Sequence, residues 1–185
     1  MTVEVHESLP ASSIVESCVG IYRAAFGEPP YSESAAQAGE LVERLRRYAA
    51  RSGFSVPIVH RDGRPVGFAL AVTALPGDWW REKVADALGR SRSARWLGSA
   101  CLEIVHVAVL PDVRRQGVGS QLLGALTSRA TTRTALLSCH PLAGAARGLY
   151  LGAGWQTLMT DFRTQPGQPS YWLMAKDLRA QDGVI

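Results

Sequence analysis

The length, composition and charge of the chain limit what kind of protein it can be. Its 185 residues, 46% of them hydrophobic, can bury one good core, so we expect a single domain over residues 1–185. The net charge of +4 suits an anionic ligand, but the arginines are scattered among acidic residues rather than gathered in a run. We therefore expect no nucleic-acid partner, whereas a phosphorylated small molecule fits this charge.

The sequence also bears on location and metal content. The first twenty residues contain acids and lack the basic start and apolar core of a secretion signal, and no apolar stretch reaches the ~20 residues of a membrane span. We therefore expect a cytoplasmic protein with no membrane partner. Cys18, Cys101 and Cys139 lie far apart without CxxC spacing, which predicts buried reduced thiols. The four histidines are too dispersed for a metal site, so no metal is expected.

The first third of the chain predicts a strand followed by two helices. Residues 3–8 alternate like a strand, and residues 11–26 carry apolar side chains at helical spacing. A helix cannot continue through Pro29-Pro30, so a second helix, capped by Ser32 or Ser34, is predicted over about 34–51.

A hairpin and an interruption follow. "VPIVHRDGRPVGFALAVTAL" predicts two strands joined at Asp62-Gly63, a strong turn signal. Residues 76–100 then form an insertion between the third and fourth strands, with a short helix near 79–89 and a basic, serine-containing tail. This insertion is either a loop over a site or a surface addition.

The rest of the chain alternates strands and helices. "CLEIVHVAV" predicts a β-branched strand ended by Pro111, and "GVGSQLLGALTSRA" resumes at helical period. The remaining predicted elements are a strand over 134–140, a helix over about 143–152, and strands over 155–163 and 171–178. The order predicts a mixed α/β sheet packed between helices, and the last strand could pair across a homodimer.

The turn that opens the helix after residue 116 carries the strongest site signal. Gly117 and Gly119 allow close approach of a ligand to the backbone, and the free N–H groups of a helix start point outward. The helix dipole and the charges of Arg114 and Arg115 favour an anion there. A P-loop is excluded because Ser120 follows where Lys is required, and the dinucleotide motif lacks its third Gly.

The segment "RRQGVG" matches [QR]-x-x-G-x-[GA] and resembles the GNAT superfamily of acyl-CoA-dependent N-acetyltransferases. "LEIVHVAVLP" and "ARGLYLGAGW" look like the family's two other signature segments. The resemblance implies a mixed, mainly antiparallel sheet of six to seven strands, splayed between strands 4 and 5, with helices on both faces. It also implies acetyl-CoA as co-substrate, bound by Val107, Ala108, Val109, Arg114, Arg115, Gln116, Gly117, Val118, Gly119 and Ser120.

Two residues are candidates for the chemistry. Glu103 is an ionisable acid in an apolar strand, where it is either a general base acting through water or a structural carboxylate paired with an arginine such as Arg147. The resemblance places Tyr150 beside the thioester sulfur as the acid for the leaving thiolate; the alternative is a core aromatic. The family often has Asn seven residues earlier, where this chain has Ala143.

The acceptor side is defined only by the resemblance. Phe26, Glu28 and Tyr31 would form one wall together with Glu33, and acidic residues there would suit a cationic amine. His106 is expected to be structural or substrate-lining rather than catalytic.

The predicted function is transfer of an acetyl group from acetyl-CoA to a primary amine by direct attack on the thioester, with a small-molecule or peptide acceptor. The alternatives are a non-catalytic acyl-CoA-binding or sensor module and a protein N-terminal or lysine acetyltransferase.

Overall fold

The computed structural model describes residues 1–179, which contain seven strands joined in one sheet. The strands are β1 Thr2–His6, β2 Val56–Arg61, β3 Arg64–Ala74, β4 Cys101–Val109, β5 Thr134–Cys139, β6 Gln156–Phe162 and β7 Tyr171–Asp177. The helices are α1 Ser12–Phe26, α2 Ala35–Gly39, α3 Leu41–Ala49, α4 Trp79–Trp96, α5 Val118–Ser128 and α6 Gly144–Gly152. A short 3-10 turn, Pro111–Val113, follows β4.

The strand order is β1-β2-β3-β4-β5-β7-β6. Strands β1 and β2, β2 and β3, β5 and β7, and β6 and β7 pair antiparallel. Strands β4 and β5 pair parallel, with Leu102 opposite Ala135 and Glu103 opposite Leu136. The predicted mixed, mainly antiparallel sheet is confirmed, and the predicted splay between β4 and β5 stays a prediction.

The chain divides into two compact units. The first comprises Met1–Val72 and Val105–Arg129, and the second comprises Thr73–Ile104 and the chain from Ala130 onward. Strands β3 and β4 each contribute residues to both units. That residues 1–185 form a single domain stays a prediction, and its last six residues, 180–185, lie outside the described part of the chain.

In the first unit, helices cover both faces of the sheet. The core on one face joins α1 and α3 to alternate residues of β2 and β3, with Cys18, Leu45, Ile58 and Phe68 all at 0% exposure. Helix α5 lies on the opposite face, because a Cβ built on Gly67, the neighbour of Phe68, would meet α5 side chains.

The second unit has its own core. Buried residues of α4, such as Val84 and Trp96, pack with Leu136, Phe162 and Leu173 of β5, β6 and β7. The Thr134 hydroxyl donates to the Trp96 carbonyl at 2.6 Å, which fixes the end of α4 to the start of β5. Because both partners are buried, this hydrogen bond has no competing water.

Two predicted helices differ from the observed ones. The helix predicted over 34–51 is two helices, because α2 ends at Gly39 and Glu40 then starts α3. Ser34 caps α2 as predicted: its hydroxyl accepts from the Gln37 amide, and the Gln37 side chain accepts from the Ser34 amide. The helix predicted near 79–89 is the first part of α4, which non-helical Gly89 (φ 72°, ψ 167°) interrupts, and a second helical part that was not predicted continues to Trp96.

The C-terminal strand is not at the edge of the sheet. Strand β7 lies between β5 and β6, so both of its hydrogen-bonding edges are used. The expectation that this strand could pair across a dimer is therefore wrong, because the sheet ends at β1 and β6. Among the described residues, no helix is both long and apolar enough to span a membrane.

Candidate functional site

The turn before α5 has the backbone of an anion site. Gly117 is the N-cap of α5 with φ 82° and ψ −3°, and Arg115 also has a positive φ of 63°. No side chain caps α5, and its first turn contains no acid, so no capping side chain accepts from the N–H groups of Val118, Gly119 and Ser120. Gly119 lies inside the helix, so the left-handed conformation belongs to Arg115 and Gly117.

Side chains around this turn hold it in place. Gln116 accepts from Arg61 Nη1 at 2.9 Å and donates to the Asp112 carbonyl at 3.2 Å. Arg114 Nη2 donates to the Ala25 carbonyl, at the end of α1, at 3.4 Å. The side chain of Gln116 therefore has two hydrogen-bond partners within the protein. The side chains of Arg114 and Arg115 are exposed to solvent.

Close packing positions the start of α5. A Cβ on Gly67 of β3 would lie 2.8 Å from Val118 Cγ1 and 3.1 Å from the Ala108 carbonyl oxygen. The Leu110 amide donates to the Val66 carbonyl at 3.0 Å, which ties the end of β4 to β3. Val107 to Val109, which are predicted to bind the coenzyme, lie at the end of β4. This end of β4 and the start of α5 both contact the same strand, β3.

A second group of side chains in the first unit joins α1, α3 and β4. Tyr22 donates to Glu33 Oε1 at 3.1 Å and accepts from Arg44 Nη1 at 3.1 Å. Arg44 Nη1 also lies 3.5 Å from His106 Nε2. The rings of Phe26 and Tyr31, the predicted acceptor wall, are in edge contact at 4.7 Å between centroids. We call Tyr22, Phe26, Tyr31, Glu33, Arg44 and His106 the acceptor cluster.

The charge states in this cluster follow from its packing. Burial, and secondarily the Arg44 guanidinium, lower the pKa of His106 to about 3. Because a guanidinium only donates, Nε2 of this imidazole is the acceptor, which places the proton on Nδ1. His106 is therefore a neutral side chain near neutral pH. Burial raises the pKa of Tyr22 to about 12.

The predicted catalytic residues both lie in the second unit. Glu103, in the first half of β4, is 4% exposed, and Tyr150 of α6 is 8% exposed. Tyr150 contacts the ring of Trp155 at 5.9 Å between centroids. Lys176, one of only two lysines in the chain, donates to the Ala153 carbonyl at 2.7 Å and so fixes the end of the helix that carries Tyr150.

The other predicted positions are also located. Glu28 is exposed in the loop after α1, and Ala143 is the N-cap of α6 without a side-chain cap. The Arg147 guanidinium lies over the Trp172 ring, 4.5 Å from its centroid. Within residues 1–179, no group of three or more His, Cys, Asp or Glu side chains could hold a metal ion.

Fold and turn together define an α/β protein in which an uncapped helix start lies next to a mixed sheet. Residues 17–155 match the model of the Acetyltransferase (GNAT) family, and the chain therefore belongs to that family. No curated protein matches the chain significantly.

Solved structures share the fold over nearly the whole chain. Ribosomal-protein-alanine N-acetyltransferase from Brucella melitensis is 17% identical with a TM-score of 0.64, covering 96% of this chain and 99% of that one. An agmatine N-acetyltransferase in its apo form is 16% identical at 0.62, over 95% and 99%. PaiA N-acetyltransferase from Thermoplasma acidophilum, in complex with coenzyme A, is 13% identical at 0.60, over 96% and 99%.

Sequence reasoning missed part of the acceptor cluster. Tyr22 lies within the helix predicted over residues 11–26, where its spacing marks it only as part of the apolar face, and the sequence assigns no role to Arg44 or Arg61. One signal was present: Arg44 stands between Leu41 and Leu45, in the stripe of the second predicted helix that faces the core. A charged residue beside a buried stripe needs a partner, but the sequence does not say which.

Proposed function

We propose that the protein is an acetyl-CoA-dependent N-acetyltransferase that acts on a primary amine. The observation that carries this proposal is the start of α5, where left-handed Gly117 leaves an uncapped helix N-terminus directly after the exposed Arg114 and Arg115. Membership of the GNAT family and the CoA complex of a protein with the same fold support the choice of co-substrate.

The residues of the first unit fit this co-substrate. In the proposal, the amides from Arg115 to Ser120 bind the pyrophosphate, with Arg114 and Arg115 supplying positive charge. The backbone of Val107, Ala108 and Val109 binds the pantetheine amides as an added strand would. Acetyl-CoA supplies the acetyl group as a thioester. The side chains of the protein move the protons that the reaction releases and takes up.

Acetylation of an ammonium group removes two protons from the nitrogen and adds one to the sulfur. An alkyl ammonium has a pKa of about 10, so Glu103, directly or through water, takes a proton before the nitrogen attacks the thioester carbon. The new C–N bond replaces the C–S bond, and the amide of Val107 polarises the carbonyl. As the adduct collapses, its nitrogen releases a second proton to water, while Tyr150 gives its phenolic proton to the departing thiolate and is reprotonated from that water.

The first test is Tyr150→Phe. We expect turnover to fall roughly 10- to 100-fold or more, because the leaving thiolate loses its acid, while the Kd for acetyl-CoA changes little. Turnover is measured as CoA release across an amine and peptide library, with product mass, and Kd is measured by calorimetry. Tyr48→Phe, on α3, is the matched control and should keep wild-type turnover. Equal turnover in Tyr150→Phe would remove this residue from the mechanism.

The same assay separates the alternatives. Tight CoA binding with no CoA release from any amine or peptide would identify a sensor module. Release only with peptides would identify a protein acetyltransferase, and no binding of any acyl-CoA would overturn the proposal.

A further inference from the structure

One carboxylate oxygen in the acceptor cluster lacks a donor. Glu33 Oε1 accepts from the Tyr22 hydroxyl, but Oε2 is buried and has no hydrogen-bond partner among residues 1–179. A buried charged oxygen without a donor is costly, and native structures rarely leave one unsatisfied. The geometry therefore points to a ligand that brings its own N–H group to Glu33.

The cluster favours a cationic ligand over an anionic one. Both terminal nitrogens of Arg44 are engaged: Nη1 by Tyr22 and His106, and Nη2 by the Gln37 carbonyl, with Glu40 at 3.8 Å. The guanidinium of Arg44 is thus already paired with protein groups, including the carboxylate of Glu40. His106 adds no positive charge, because its imidazole is neutral. The charged group of the cluster that lacks a hydrogen-bond partner is thus the negative carboxylate of Glu33.

Aromatic rings stand next to this carboxylate. Phe26 contacts Tyr31 at 4.7 Å and Tyr22 at 4.5 Å between centroids, and Tyr22 holds Glu33. Aromatic faces beside a carboxylate are a common environment for ammonium and guanidinium groups, since the ring quadrupole attracts a cation. Glu33 itself is partly exposed, in the loop between α1 and α2, with exposed Ser32 and Ser34 on either side. Because Oε2 is buried, a ligand reaches it only when the Glu33 side chain turns toward solvent.

We propose that Glu33 binds a second cationic group of the acceptor, so that the preferred substrates are diamines or amino-guanidines rather than simple alkylamines or amino acids. This inference rests on the proposed amine acetylation. Three successive contacts lead from Glu33 through Tyr22 and Arg44 to His106, which precedes Val107 in β4. The distal cation therefore binds at Glu33, while the reacting amine lies toward β4.

The test compares three acceptors of similar length: 1,5-diaminopentane, 1-aminopentane and 5-aminopentanoate. We expect kcat/KM to be highest for the diamine and lowest for the amino acid. Glu33→Gln keeps an oxygen for Tyr22 but removes the charge, so it should lower kcat/KM for the diamine roughly 10- to 100-fold, chiefly through KM. The value for 1-aminopentane should stay within about threefold, because that acceptor has no distal cation.

The control is Glu16→Gln, which removes an exposed carboxylate from α1 outside the cluster and should leave all three values unchanged. Thermal unfolding of each variant checks that the fold is retained. An equal loss for diamine and monoamine in Glu33→Gln, or no loss for either, would overturn the proposal.

A binding measurement separates this inference from the proposed reaction. Calorimetry measures the binding of 1,5-diaminopentane in the presence of CoA. No turnover occurs, because CoA carries no acetyl group. Binding that Glu33→Gln weakens, with no CoA release from any amine, would sustain the cation site and contradict the transferase. Acetylation of amines without preference for the diamine would sustain the transferase and overturn the cation site.

Discussion

His106 is the residue whose charge the fold controls most strongly. Its pKa falls to about 3 because burial and Arg44 both disfavour the imidazolium, whereas the unfolded chain has the ordinary value of 6.5. Below pH 6.5 the unfolded state therefore binds a proton that the folded state does not. The free energy of unfolding should fall as pH drops from about 6.5 toward 3, and this contribution vanishes above pH 6.5.

The pH dependence can be isolated with His106→Gln, which offers Arg44 an acceptor but does not titrate. We expect wild type to lose roughly 1 to 2 kcal/mol more stability than this variant between pH 7 and pH 5, measured by urea unfolding. Identical pH slopes for the two proteins would show that the folded imidazole takes up its proton as readily as the unfolded one.

At the level of residues, sequence reasoning succeeds where the signal is local. Arg114, Arg115 and Gly117 lie within four residues, so "RRQGVG" alone predicts the turn that starts α5, whereas binding of an anion there stays a prediction. The acceptor cluster differs, because Tyr22, Arg44 and His106 meet only through tertiary packing, and residues 44 and 106 are far apart in sequence. The sequence places Arg44 beside Leu41 and Leu45 in the second predicted helix, but it does not indicate which residues pair with the guanidinium.

The position of α5 depends on Gly67 of β3, which has no side chain and so allows the helix to approach the strand closely. Gly67→Ala would place its Cβ 2.8 Å from Val118 Cγ1 and 3.1 Å from a backbone oxygen of β4, so the Val118 side chain or the backbone of β3, β4 or α5 must shift. We expect a loss of roughly 1 to 3 kcal/mol of stability by urea unfolding, as for other overpacked sites. Because Val118 is the first residue of the proposed pyrophosphate-binding helix, the Kd for CoA should also rise.

Gly124→Ala is the matched control on the same helix. A Cβ at Gly124 meets nothing within 4 Å, so alanine there should raise stability by roughly 0.5 to 1 kcal/mol through helix propensity. If Gly67→Ala were as well tolerated as Gly124→Ala, the close approach of α5 to β3 would be contradicted.

Elements were predicted well in type and less well in extent. The hairpin at Asp62-Gly63 was predictable because both residues suit the turn, and each has a positive φ in the structure. The break at Glu40 was missed, because Gly39 is tolerated inside many helices and only packing decides where one ends. The central place of β7 was missed for another reason: strand order depends on contacts between distant segments, which periodicity does not encode.

At the scale of the whole molecule, two buried cores share continuous strands. Leu45 belongs to the core of the first unit and Leu173 to that of the second, and both are 0% exposed. Strand β3 enters the second unit at Thr73, and β4 enters the first at Val105. Breaking either core would disturb strands that the other core needs, so we propose that the chain unfolds as one domain.

The prediction is one calorimetric transition whose calorimetric and van't Hoff enthalpies agree. Leu45→Ala and Leu173→Ala should each cost roughly 2 to 5 kcal/mol by leaving a cavity. In a single cooperative domain, both variants lower the midpoint of that same transition and leave it unsplit. If instead each substitution moved only one of two resolved transitions, the units would be independent domains, and the continuity of β3 and β4 would not couple them.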